Sequence, residues 1–247
     1  MVGGLPTGGG LVTSGPNYYY TWTPTQRATA RLSTSRTELL QIGIAYVVLT
    51  VDLILILTGA GILFGQSGQF LSRISLPLVL AAAGAALTGF VGHELAHKVV
   101  AQRHGFWAEF RMSPFGLIFS LFTASLGFLW AAPGATVVSG MSMIDRENWG
   151  RTSLAGPLEN ISFGVIFYVG SIGLYLAHSP SYFWLLLLAW VNGWFATFNL
   201  IPFGPLDGAK VLRWRTSIWI TAFVLIGLFT AVTFFAFEVY GTPLFGA

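Results

Sequence analysis

His93-Glu94-Leu95-Ala96-His97 is the stretch around which the chain is organised. It lies inside a run from about Leu76 to Ala101 that is otherwise almost wholly apolar and long enough to cross a bilayer as a helix. Two histidines four residues apart on a helix share one face, with Cβ atoms about 5–6 Å apart, so both imidazoles reach one metal ion. The glutamate after the first histidine lies beside the same position. H-E-x-x-H on a helix is the pattern in which two imidazoles bind zinc and the carboxylate serves as general base. Here the solvent around that pattern is lipid.

The composition makes the same point. Of 247 residues, 54% are hydrophobic and only 9% charged, against about 25% charged in a soluble domain. The chain therefore reads as an all-α polytopic membrane protein. It has no cysteine, which excludes a disulfide framework and a thiolate metal site and leaves His and carboxylate ligands. Net charge is +3, with the basic residues in short tracts beside apolar segments. That pattern suits contact with anionic membrane lipid and not nucleic-acid binding.

Residues 1–37 are rich in Gly, Pro, Ser and Thr, with Tyr18, Tyr19, Tyr20 and Trp22 followed by Arg27, Arg31 and Arg36. They read as a flexible tail whose aromatic and basic end rests on the membrane. Residues 1–26 contain no charge and no continuous apolar core, so no cleavable signal peptide is expected. Residues 38–247 read as one membrane-embedded domain, without internal repeat.

About five segments can span as helices: Glu38 to Phe64, Leu76 to Ala101, Ser153 to Ala177, Tyr182 to Ile201 and Thr216 to Val239. A sixth apolar run, Phe115 to Ala132, is shorter, flanked by Pro114 and Pro133, and by length alone is either a span or a re-entrant segment. Charge decides. If it does not cross, Arg27, Arg31 and Arg36 share a side with Lys98, Arg103, Arg111, Arg146, Arg151, Lys210, Arg213 and Arg215, and only Arg73 lies opposite. If it crosses, the asymmetry largely vanishes. The positive-inside rule therefore predicts a re-entrant or interfacial excursion with short β-strands, a cytoplasmic N-terminus, and a site nearer the cytoplasmic face.

A catalytic zinc takes three protein ligands and keeps one position open. His104, beyond the expected helix end, and His178, on the far side, are weak candidates for the third. Among the nine acidic residues, Asp52, Glu159 and Asp207 remain after Glu94, already assigned, and those in polar stretches or near helix ends are set aside. Asp207 stands out by context, in Asn199-Leu200-Ile201-Pro202-Phe203-Gly204-Pro205-Leu206-Asp207-Gly208. Two prolines and two glycines break the helix there, and irregular backbone at membrane depth is tolerated only where it lines a buried or wet cavity. Glu159 has a plainer explanation as a carboxylate in a first helical turn. Asp52 in mid-span has no evident partner. Asn160 and Asn192 read as interhelical hydrogen-bonders, and Trp184, Trp214 and Trp219 as interfacial anchors.

His93-Glu94-x-x-His97 followed by Asn199-x-x-Pro202-x-x-x-x-Asp207-Gly208, with Pro133-Gly134-Ala135 and Ala155-Gly156-Pro157 between them, resembles the site-2 protease family of polytopic intramembrane zinc metalloproteases. The resemblance covers roughly Leu76 to Arg215. It implies His93, His97 and Asp207 as ligands of one Zn2+ per chain. It also implies Glu94 as general base and Asn199 beside the reacting carbonyl. Inserted PDZ and appended CBS domains are not seen, as in short forms of the family. The substrates implied are transmembrane proteins, cut within or near the bilayer. Their helices must unwind first, and the run Pro133 to Gly140 is a candidate edge strand to hold the unwound chain, with Val137 as the position to test. A plain connecting strand is the alternative. The rival functions are a transporter, since broken helices and intramembrane carboxylates also mark ion paths, and a catalytically silent relative that binds membrane proteins. Oligomeric state is not legible.

Overall fold

A computed structural model describes residues 32–59, 70–130, 132–141 and 145–240. Residues 1–31 of the tail expected over 1–37, and the end of the first expected span, lie outside the described residues.

Helix starts follow local chemistry. Ser35 precedes α1 (Arg36–Leu57) and accepts from the Glu38 amide at 3.1 Å. Asp145 caps α6 (Arg146–Leu176) in the same way. Such caps satisfy amides that a helix leaves without internal partners. After the single turn α2 (Phe70–Arg73), Ser75 caps α3 (Leu76–Ala86), which continues through a π-helical turn, Leu87–Gly92, into α4 (His93–Arg103). α3, the turn and α4 form one 28-residue helix.

Between α4 and α6, β1 (Trp107–Met112) and β2 (Gly134–Ser139) enclose α5 (Pro114–Leu126). The strands pair antiparallel from Trp107↔Ser139 to Met112↔Gly134, and the Ser113 amide donates to the Pro133 carbonyl at 2.8 Å. Both ends of the 113–133 segment therefore lie at the same level. The sixth apolar run does not cross; it leaves and returns on one side, packed against α1. The remaining helices are α7 (Tyr182–Asn199), α8 (Asp207–Trp214) and α9 (Thr216–Tyr240).

Among the described residues, four helices are long and apolar enough to cross a membrane: α1, Leu76–Arg103, α6 and α9. The fifth expected span, α7, has 18 residues. It carries Asn192, Asn199 and three tryptophans, and much of it is packed inside protein. Phe183, Leu186, Leu187, Leu188, Ala189 and Val191 are buried against α3, α6 and α9. Arg73 donates to the Thr58 carbonyl beyond the end of α1, opposite the other described cations.

The opposite end of α1 is tied to α4 and β1 by a buried ion pair. Glu38 takes the Lys98 ammonium on one oxygen and the Phe110 amide on the other, the latter at 3.0 Å. Gln41 accepts from the Met112 amide at 3.1 Å. Since the Phe110 and Met112 amides face α1, alternation directs Glu109 and Arg111 toward Val137 and Ala135, and leaves Thr136 and Val138 on the outer edge of β2.

Single cysteines test the path in this cysteine-free chain. Arg103→Cys, Ser139→Cys and Arg215→Cys should react with an impermeant thiol reagent from one membrane face, and Ser72→Cys and Ser181→Cys from the other. Ser139 labelled together with Ser72 would mean that the 113–133 segment crosses after all.

Candidate metal centre

The H-E-x-x-H residues occupy the first turns of α4, where helical spacing stacks the two imidazoles. His93 Nε2 and His97 Nε2 are 3.0 Å apart, with the rings edge to face. The break after α7 delivers Asp207 at the first position of α8, with Oδ2 at 3.2 Å from His93 Nε2 and 3.0 Å from His97 Nε2. All three side chains are buried. The other carboxylate oxygen, Oδ1, is 3.2 Å from Lys210 Nζ.

These residues fit a metal ion. The ring nitrogens on the far side are engaged: His93 Nδ1 with Asn160 Oδ1 and His97 Nδ1 with the Thr152 carbonyl, each at 2.6 Å. Both partners are acceptors, so both Nδ1 atoms carry the proton and both Nε2 atoms present lone pairs, the tautomer that metal-binding histidines need. Two lone pairs and a carboxylate oxygen at these separations repel unless a cation lies among them. Tetrahedral zinc at about 2.0–2.1 Å from its ligands spaces them about 3.3 Å apart, close to the distances here. Among the described residues this is the one group of three His, Cys, Asp or Glu side chains gathered closely enough to hold a metal ion.

Glu94 points into the same cavity, of about 190 Å³. Its Oε2 accepts from the Thr136 amide at 2.7 Å and from the Thr136 hydroxyl at 2.8 Å. The same hydroxyl lies 2.9 Å from the Glu94 carbonyl. Strand β2 thus grips the carboxylate by one oxygen. Asn199 also lines the cavity and gives one amide hydrogen to the Phe195 carbonyl, at 3.0 Å.

Two close approaches set the site's shape. A Cβ on Gly156 would stand 2.6 Å from both imidazoles, so only glycine lets α6 lie this near. A Cβ on Gly92 would stand 1.9 Å from Glu159 Oε1. Glu159 therefore rests against the π-turn and not among the ligands. Its Oε1 is buried without a hydrogen-bond partner among the described residues. Asp52 is buried in α1, with Ser120 of α5 beside it, and also stays outside the ligand group. His104 closes the end of α4, its Nδ1 2.7 Å from the Val100 carbonyl. His178 lies between α6 and α7.

Asn160 does more than bridge helices. Its Nδ2 donates to the Thr88 carbonyl at 3.2 Å and to the Gly89 carbonyl at 3.0 Å, while Oδ1 orients His93. The π-turn disturbs the regular backbone ladder, and such turns recur at functional sites. Asn160 fills the gap and fixes the ligand together. Thr136 and Thr152 were not legible as site residues. The hint for Asn160 is its place one helical turn after Gly156.

The chain is 37% identical over 145 residues to a Methanocaldococcus jannaschii protein named "Putative zinc metalloprotease"; the match covers 57% of this chain and 73% of that one. A Mycobacterium tuberculosis protein of the same description is 30% identical over 146 residues, covering 56% of this chain and 32% of its own length. No family model and no solved structure matches.

Asn160→Ala removes the orienting acceptor and leaves two carbonyls unpaired. Zinc affinity, measured by chelator competition, should fall by about 10–100-fold. Asn192→Ala, which loses the Thr88 hydroxyl and not the His93 contact, should leave it near wild type.

Proposed function

The chain belongs to the site-2 protease family of zinc metalloproteases, and on that premise we propose that residues 38–247 form a multi-pass zinc endopeptidase that hydrolyses peptide bonds of transmembrane proteins within or near the cell membrane. The observation that carries this is the meeting of His93, His97 and Asp207 with Glu94 in one cavity that borders the outer edge of β2, which pairs with no further strand among the described residues. The charge asymmetry of the helix ends supports a cytoplasmic N-terminus and a site toward the cytoplasmic side.

His93, His97 and Asp207 would hold the zinc. When bound, zinc lowers the pKa of a water to about 7 and polarises a carbonyl. The remaining work falls to the chain. Glu94 takes the proton from the attacking water and returns it to the leaving nitrogen. Thr136 keeps the Glu94 carboxylate in place through Oε2, so that Oε1 faces the cavity. Asn199 retains a second amide hydrogen to offer the developing oxyanion. His93 is held in its ligating tautomer by Asn160, and His97 by Thr152.

Strand addition gives the substrate its grip. The outer edge of β2 offers the Thr136 carbonyl and the Val138 amide and carbonyl to an extended chain, while the Thr136 amide is already taken by Glu94. The position expected from sequence, Val137, faces β1 instead; proline there would break the β1–β2 ladder and test folding. Val138 is the residue on the open edge, and it lines the cavity.

Purified protein should contain about one zinc per chain and cleave a model transmembrane substrate. Glu94→Gln should keep the metal and lose at least about 100-fold in rate, the usual worth of a general base. A folded preparation without metal would reject the proposal, and bound zinc with cleavage indifferent to Glu94 would reject the mechanism. Val138→Pro should raise KM and leave zinc content unchanged; unaltered cleavage would remove the strand-addition step.

A further inference from the structure

Next to the catalytic cavity lies a second, basic pocket of about 690 Å³, lined by Arg146, Trp149, Gly204, Ala209, Lys210 and Arg213. Trp149 and Lys210 line both cavities. We propose that this pocket receives an acidic side chain of the polypeptide being cut, a few residues from the scissile bond, and gives the enzyme a preference for substrates acidic at that position. The inference rests on the protease reading above and names a substrate feature for the same site.

Charge accounting supports it. All nine side-chain carboxylates of the chain lie in described residues. Lys98, Arg111, Arg151 and Lys210 each pair with one of them. Arg146 and Arg213 pair with none among the described residues. Of the two acids that flank Arg146, Glu147 pairs with Arg151, and Asp145 is turned to Asn148, with Oδ2 accepting from Nδ2 at 2.6 Å and Oδ1 from the amide at 3.2 Å. Two guanidinium groups thus face one pocket without a counter-charge, and a guanidinium fork matches a carboxylate by two parallel hydrogen bonds.

Placement identifies the ligand. Lys210 and Arg213 are three apart on α8 and share a face. Lys210 Nζ already touches the metal-site carboxylate through Asp207 Oδ1. Lys210 and Trp149 are shared by the two cavities, so the basic pocket opens directly beside the reacting centre. Gly204 and Ala209 contribute almost no side chain, which keeps the pocket open. A lipid phosphate carries the same charge at the end of a span, but the cavity this pocket joins is the one that takes polypeptide.

The test is a set of model transmembrane substrates with Glu or Gln placed singly at each position flanking the cut, in phosphatidylcholine vesicles with and without phosphatidylglycerol. At one position on one side, Glu should raise kcat/KM about tenfold over Gln through KM, the scale of one charge-assisted hydrogen bond. The Arg146→Gln/Arg213→Gln variant should cut the Gln substrate at the wild-type rate and lose the Glu preference. A scan without Glu preference, or a preference kept by the double variant, overturns the proposal. So does an arginine-dependent response to phosphatidylglycerol that is equal for Glu and Gln substrates, which would make the pocket a lipid site. Binding of the same pairs to Glu94→Gln separates the two claims. An arginine-dependent Glu preference in binding without cleavage by wild type retires the protease and keeps the pocket; cleavage without preference does the reverse.

Discussion

Asn160 sits where two requirements of a membrane interior meet. Backbone groups freed at membrane depth must find partners inside the protein, and a ligating imidazole must be held in one tautomer. The π-turn at Leu87–Gly92 creates the first need, and His93, the next residue, creates the second. One amide serves both: its nitrogen donates to the Thr88 and Gly89 carbonyls and its oxygen accepts from His93 Nδ1–H. The distortion of the helix and the orientation of the ligand are therefore one structural event. Gly156, one turn before Asn160, lets α6 come close enough for both.

The strand pair performs a second coupling. Since β1 and β2 bracket α5 and meet at Ser113 and Pro133, the whole segment returns to its starting level. β1 gives two of its outer amides, Phe110 and Met112, to Glu38 and Gln41 of α1. β2 spends one on Glu94 and leaves the rest of its edge open. An unpaired edge is ordinarily a hazard; this one is turned to the cavity, with α4 alongside.

Local pattern made much of this legible in the sequence. The two histidines and the glutamate stand out because ionisable groups are costly in a span, and Asp207 because prolines and glycines break the chain before it. The re-entrant course of Phe115 to Ala132 followed from where the cations fall. What stayed hidden depends on partners far apart in the chain. Thr136 reaches Glu94 across 42 residues, and Asn160 reaches His93 across 67. The π-turn leaves no mark, since Leu87-Thr88-Gly89-Phe90-Val91-Gly92 is compatible with an ordinary helix. Which residues of Pro133 to Gly140 face an open edge depends on register: Val137 of β2 is turned to β1, and Val138 is turned away from it. Arg146 and Arg213 looked like two more membrane-facing cations until their shared pocket came into view.

The ion pair between Glu38 and Lys98 bears on how the protein is made. Leu76–Arg103 is the helix that carries the site, and it must enter lipid with His93, Glu94, His97 and Lys98 aboard. A lysine costs about 2.5–3.5 kcal/mol on insertion at the centre of a span and less near its end, where Lys98 lies, and the other ionisable groups add to that. By the time this helix leaves the ribosome, α1 has been synthesised with Glu38 at the same membrane face. The first helix can thus act as a receptor for the second, offsetting the charge that hinders its entry, so that biosynthetic order becomes part of the stability of the site.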